Sequence, residues 1–434
     1  MQLGHPDTAA TAWVLVSSAM VLLMTPALAF FYGGMVRAKG VLNMMMMCMS
    51  ATAVVWVLWL TFGYSAAFGK DVGGGLLGDP TQFFGLRHMF GVDAAGQTPL
   101  IGGIPALVFV TFQAGFAMVT VALIAGAVAD RMRFIPWVIF AGLWATLVYF
   151  PVAHWVFAHD GWILHHLKAI DFAGGTAVEI NSGAAGLAMA LVLGRRDGWP
   201  REAMRPHNLP SVMLGAGLLW FGWFGFNAGS ALKADGTAAL VLANTLGAGA
   251  VSMASWLVVE RIRHGKPTSF GAASGVVAGL VAITPSCGAV SPFGALLIGL
   301  VAGAVSSWAV EVKFKFGYDD SLDVVGVHLV GGVIGTLMIG LLATRSATGM
   351  STGHAVNGLF YGGGFEQLGR QAVAVLVVLT YSFVVTTIIG LAMKTVMQLR
   401  AHSHHESGGL DDAEHAESAY EFTGTRGGGL ISGH

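Results

Sequence analysis

The sequence predicts an all-α integral membrane protein of eleven transmembrane helices, N-terminus outside and C-terminus inside, arranged as an inverted five-plus-five repeat. Of its 434 residues 55% are hydrophobic and only 10% charged, at a mean hydropathy of +0.70, whereas soluble domains carry about 25% charged residues. Apolar runs of about 20 residues recur along the chain, the length that crosses a ~30 Å hydrocarbon core. Lysine and arginine divide unevenly between alternate loops, which sets an orientation.

The runs fall near 11–36, 41–68, 100–128, 134–157, 173–194, 211–231, 237–259, 270–285, 291–312, 322–343 and 367–397. The first has no basic residue until Arg37, and its Phe-Tyr-Gly-Gly end is unlike a small-residue cleavage site, so it reads as a permanent helix rather than a signal. The second carries Met44 to Met47, Cys48 and Met49. Consecutive residues point around a helix rather than to one face, so packing or lipid contact explains them better than a Cu(I) path. The eighth run is the shortest. One set of alternate loops holds Arg37, Lys39, Arg131, Arg133, Arg195, Arg196, Arg201, Arg205, Arg261, Arg263, Lys266, Lys313 and Lys315, thirteen in all, and the other holds six. The richer set is therefore cytoplasmic.

After 397 the composition turns polar and rich in His, Glu and Gly, giving a transmembrane domain over 1–397 and a cytoplasmic tail over 398–434 that is disordered by itself. His402, His404 and His405 in that tail lack the closed spacing of a zinc site. The two cysteines, Cys48 and Cys287, lie in or beside apolar runs, which argues against a disulfide framework. A net charge of -1 gives no sign of nucleic acid, and neither a Walker loop nor a redox cofactor motif is visible, so no cofactor is expected. Sixty-two glycines fit close helix packing in lipid.

Two residues interrupt this apolar pattern. Glu179 and His328 fall inside membrane runs, where a charged side chain costs ~2.5–3.5 kcal/mol on insertion scales and usually marks a pathway. Asp171-Phe-Ala-Gly-Gly-Thr-Ala-Val-Glu179 opens the fifth run and Asp323-Val-Val-Gly-Val-His328 the tenth, an acid before each titratable residue. Helices five apart run oppositely, as an inverted repeat requires. Against a pathway role stands the plainer alternative of a satisfied polar group, a protonated Glu179 bonded to a neighbouring helix or a hydrogen-bonded core His328, an alternative weaker for the Glu than for the His; paired, they can share one proton. Asp171, at a helix entrance, reads as an acceptor of backbone N–H groups. Phe112, Phe116 and Phe157 offer ring faces near helix ends that attract a cation by ~0.5–2 kcal/mol each, although isolated phenylalanines there are ordinarily packing or belt residues.

Several stretches add a resemblance. Phe30-Phe31-Tyr32-Gly33-Gly34, Phe112-Gln113-Ala114-Gly115-Phe116, Pro206-His207-Asn208-Leu209-Pro210, the run from Trp220 through Gly222-Trp223-Phe224-Gly225-Phe226-Asn227 to Ser230, the Asp171 segment and Gly326-Val327-His328 follow in order along nearly the whole chain. Together they resemble the ammonium transporter (Amt/Mep/Rh) family, bacterial Amt branch. The resemblance implies a homotrimer in the cytoplasmic (inner) membrane, each protomer with its own pore for ammonium, ammonia or methylammonium. By motif it assigns recruitment to Phe112, Phe116, Phe157 and Ser230, a gate to Phe116 and Phe226, support to Trp223, a structural role to Asp171 and the pore pair to Glu179 and His328. Two positions depart from the usual pattern. Phe157 stands where a tryptophan is common, and Glu179 replaces the first of two histidines, as in some fungal members. Gly409-Leu410-Asp411-Asp412-Ala413-Glu414-His415-Ala416-Glu417-Ser418-Ala419-Tyr420 resembles the tail that receives a PII-type signalling protein.

The expected function is ammonium transport. An ammonium sensor read by a cytoplasmic partner is the rival class, supported only by the tail. An enzyme using Glu179 and His328 lacks a zinc motif and a placed nucleophile.

Overall fold

The computed structural model describes residues 2–420. Among them ten helices are long and apolar enough to cross a membrane: α1 (Thr8–Met35), α2 (Val41–Phe68), α3 (Ala106–Val128), α4 (Phe134–His165), α5 (Gly175–Leu193), α6 (Leu209–Gly229), α7 (Gly236–His264), α9 (Pro292–Phe316), α10 (Val325–Leu342) and α11 (Glu366–Val396). Between α7 and α9, α8 (Ser269–Ile283) is apolar but has only 15 residues, about 22 Å at the usual rise. It is almost entirely buried against α6, α7, α9 and α10, so protein rather than lipid covers most of its length.

One boundary moves. The third run was expected to be helical from 100, but β2 (Thr98–Ile101) and β3 (Ile104–Pro105) form a hairpin there and α3 starts at Ala106. Gly102 and Gly103 turn the chain at φ of 60° and 88°, a conformation that ends regular helix. β1 (Gln2–Gly4) adds antiparallel to β2, Gln2 opposite Leu100, so the N-terminus lies on this face.

Helix starts explain how the tail binds the opposite face. α1, α6, α7, α8 and α9 are capped by their own Asp7, Asn208, Asp235, Thr268 and Ser291 side chains. α2 and α4 follow Gly40 and Arg133, which supply no capping side chain. The tail supplies it. Asp411 accepts the N–H groups of Leu42 and Asn43 at 3.1 and 2.8 Å, and Glu414 accepts that of Phe134 at 3.0 Å while pairing with Arg133. Arg400 binds Glu406 at 2.8 Å, Glu406 in turn accepts from Asp197 N–H, and Tyr420 meets His207. The tail expected to be disordered by itself therefore folds, over its described part, into two short helices, Ser403–Gly408 and Leu410–His415, because the loops complete its hydrogen bonds.

The loops rich in basic residues meet on this tail face. Arg37 pairs with Asp130, and Arg196 with Asp319 through two side-chain bonds of 2.8 and 2.9 Å. Burial would raise the Asp319 carboxyl, yet the Arg196 and Arg131 guanidiniums hold it below the usual range.

Candidate functional site

α5 and α10 each open with a π-helical turn, Gly175–Ile180 and Val325–Leu329, and the two turns carry Glu179 and His328. Such turns hold one extra residue and recur at functional sites. Gly174 begins the first at φ 107°, which favours glycine. Asp171 secures it: Oδ1 accepts the N–H groups of Gly174 and Gly175 at 2.8 and 2.7 Å, while Oδ2 accepts Thr176 N–H at 2.7 Å and the Thr176 hydroxyl.

The acid expected at the other entrance was Asp323. It instead pairs with Lys313 Nζ at 2.6 Å, and the capping acid is Asp320, whose Oδ2 accepts Val325 N–H at 2.7 Å. Spacing was the overlooked signal, because Asp320 precedes His328 by eight residues, as Asp171 precedes Glu179.

The turns bring the pair together. His328 Nδ1 lies 2.7 Å from Glu179 Oε2, with both side chains at most 3% exposed. Gly332 lets α10 come this close, since a Cβ there would stand 3.0 Å from the Glu179 Cβ and 2.9 Å from Ile180. Glu179 Oε1 and His328 Nε2 make no hydrogen bond among the described residues. Both residues line an enclosed cavity with Met24, Leu28, Val119, Trp223, Phe226 and neighbours, with about 10 Å³ open to the centre of a water-sized molecule. That is room for about one such molecule.

Aromatic rings stand between this cavity and the N-terminal face. Phe116 and Phe226 stack at 4.0 Å between centroids and 22° between planes, each 1% exposed. Phe112 meets Phe116 edge-on at 5.0 Å and Phe157 does so at 6.3 Å, so all four rings form one cluster. Ser230 ends α6 one turn beyond Phe226, and its hydroxyl donates to Phe226 O at 2.8 Å, leaving its oxygen lone pairs available. Trp223 packs against Phe226 at 5.8 Å and is fixed by Nε1–H donation to Thr284 Oγ1 at 2.8 Å, a partner the sequence did not single out. The stacked rings lie over the cavity that holds the Glu179–His328 pair, whose Oε1 and Nε2 carry no hydrogen bond among the described residues.

Fold and site together define a multi-pass helical membrane protein with a buried Glu–His pair in a narrow cavity behind an aromatic cluster. The family model of the Ammonium Transporter Family matches residues 12–420. The chain is 58% identical to an ammonium transporter of Mycobacterium bovis over 97% of its own length and 92% of the relative's. Saccharomyces cerevisiae Mep2 has a solved structure similar to it at a TM-score of 0.84 and 35% identity, covering 92% of this chain and 91% of that one. A structure described as a sensor Amt protein matches at 0.84 and 30% identity, over 94% and 98%. The chain belongs to the Ammonium Transporter Family.

Proposed function

We propose that this chain carries ammonium across the cytoplasmic membrane, eleven helices per protomer in a homotrimer, with its N-terminus outside and a regulatory tail inside. Ser230 and the rings of Phe112, Phe116 and Phe157 recruit the cation, replacing part of its hydration. Phe116 and Phe226 gate the pore, and Trp223 braces Phe226. Beyond them Glu179 and His328 handle the proton. The observation that carries this reading is the 2.7 Å Glu179–His328 contact on a cavity sized for one molecule. A carboxylate opposite an imidazole favours imidazolium or a shared proton, so the pair differs from two imidazoles in its dependence on pH. The polar face formed by the tail and loops receives a PII-type partner.

The sensor reading rests on the docked tail and on the neighbour described as a sensor Amt protein. Flux through purified protein separates the two. Proteoliposome currents evoked by ammonium pulses from pH 5 to 8 test the mechanism. Glu179→Gln keeps the shape but not the titratable group and should lose most charge movement, whereas Glu179→His should conduct with a shifted pH optimum. A Gln variant with unaltered currents and pH profile would reduce Glu179 to a hydrogen-bonding residue.

A further inference from the structure

Asp171 and Asp320 cap corresponding turns but are satisfied differently. Asp171 uses both carboxylate oxygens as acceptors. Asp320 is 1% exposed; its Oδ2 accepts Val325 N–H, and its Oδ1 is buried with no hydrogen-bond partner among the described residues. An unsatisfied buried acceptor is costly, more so when charged, so this atom is placed to receive a proton or a donor. The neighbouring charges are otherwise engaged. Lys313 on α9 donates to the Asp320 backbone oxygen at 2.8 Å and to Asp323 at 2.6 Å, and Arg131 and Arg196 bind around Asp319. Tyr32 on α1 and Tyr318 and Asp323 in the same loop also lie within electrostatic reach of it. Ser321, Leu322 and Asp323, which follow it directly, line a cleft of about 260 Å³ on the tail face. Val325, which Asp320 caps, is three residues from His328.

We propose that Asp320 is the inward proton acceptor of the pore, its Oδ1 taking the proton that leaves the Glu179–His328 pair and releasing it to the cytoplasmic cleft. The inference rests on the proton-relay reading of that pair. Ammonium gives one proton to the pair and continues as ammonia. The pair then passes a proton over water in the passage to Asp320 Oδ1, where an O–H bond forms and the pair is restored. Asp320 gives the proton to water or to the arriving ammonia, so one ammonium and one positive charge have crossed. Asp171 cannot serve likewise, because its oxygens are already occupied by donors.

Burial pushes the Asp320 carboxyl up to about 6, with Lys313 and the Val325 and Val324 N–H groups lowering it and Asp323 raising it further. Above that value the group is ionised and accepts a proton; below it the site is filled. Current should therefore fall as internal pH drops through about 6.

Asp320→Asn keeps an acceptor for Val325 N–H but cannot titrate. In proteoliposomes at internal pH 7.5 we expect ammonium-evoked current to drop tenfold or more, and Asp320→Glu to restore part of it. If Asp320→Asn conducts like wild type with the same internal-pH profile, the inference is overturned. The relay reading fails separately, when Glu179→Gln carries wild-type current; a wild type without current overturns both. Should Asp320→Asn not fold, Lys313→Gln serves, since removing that cation should move the internal-pH midpoint to a more alkaline value, and an unmoved midpoint sinks the proposal.

Discussion

Asp411→Ala should loosen the tail from the body of the protein without touching the pore. Asp411 accepts Asn43 and Leu42 N–H groups at 2.8 and 3.1 Å, and Gly40 offers α2 no substitute. Losing a capping side chain costs ~1 kcal/mol, within a range of about 0.5–2, and losing an anion at a helix N-terminus a further ~0.3–1. Against this, burial opposes the charge and raises the Asp411 carboxyl despite the two N–H bonds, so part of the gain is offset. The lower half of the range follows, about 1–2 kcal/mol, or roughly 5- to 30-fold in the docked-to-undocked ratio. Hydrogen–deuterium exchange read by mass spectrometry reports it directly. Amides at Leu42 and Asn43 and across 403–415 should exchange faster by that factor, and Asp411→Asn, which keeps one acceptor oxygen, by less. Unchanged exchange at Leu42 and Asn43 would mean that water caps α2 as well as the tail does.

Phe116→Ala and Ser230→Ala should each weaken apparent ammonium affinity, the former by about 2- to 30-fold if one desolvated cation–π contact of ~0.5–2 kcal/mol is lost; if isotopically labelled methylammonium uptake shows neither constant moving, recruitment lies elsewhere. Asp171→Ala should cost more than ~3 kcal/mol by stranding three N–H groups and the Thr176 hydroxyl, so little folded protein should survive detergent extraction, with Asp171→Asn intermediate. Recovery of the Ala variant in wild-type yield would refute that accounting.

Ten of the helices were legible because crossing a bilayer takes some 20 predominantly apolar residues, a constraint that leaves its mark in composition, and the 15-residue α8 was the weakest of the runs for the same reason. The hairpin at 98–105 was not, since its residues are apolar enough to continue a helical run and only the Gly102-Gly103 turn distinguishes them. Glu179 and His328 stood out by their cost in an apolar run, and Asp171 by its place before a helix. Asp320 escaped because Asp319, Asp320 and Asp323 crowd one loop, and only the eight-residue spacing shared with Asp171 and Glu179 sets Asp320 apart. Thr284 and the tail caps escaped for a related reason. Their partners lie 61 residues away for Thr284 and 368 for Asp411, and nothing local marks them. The tail reads as polar by composition, and its acids find most of their donors on loops far away in sequence.

The two π-helical turns have a consequence for how this chain can vary. Each carries one residue more than an α-turn would, and that residue offsets the capped entrance from the helix body by roughly 100°. Delete one position between Asp171 and Glu179 and the segment must either keep its cap and swing the carboxyl off His328, or keep the pair and strand the N–H groups. The same choice faces the stretch from Asp320 to His328. Along these two stretches the number of residues is fixed more tightly than their identity: a carboxylate can stand where an imidazole would, but a gap cannot.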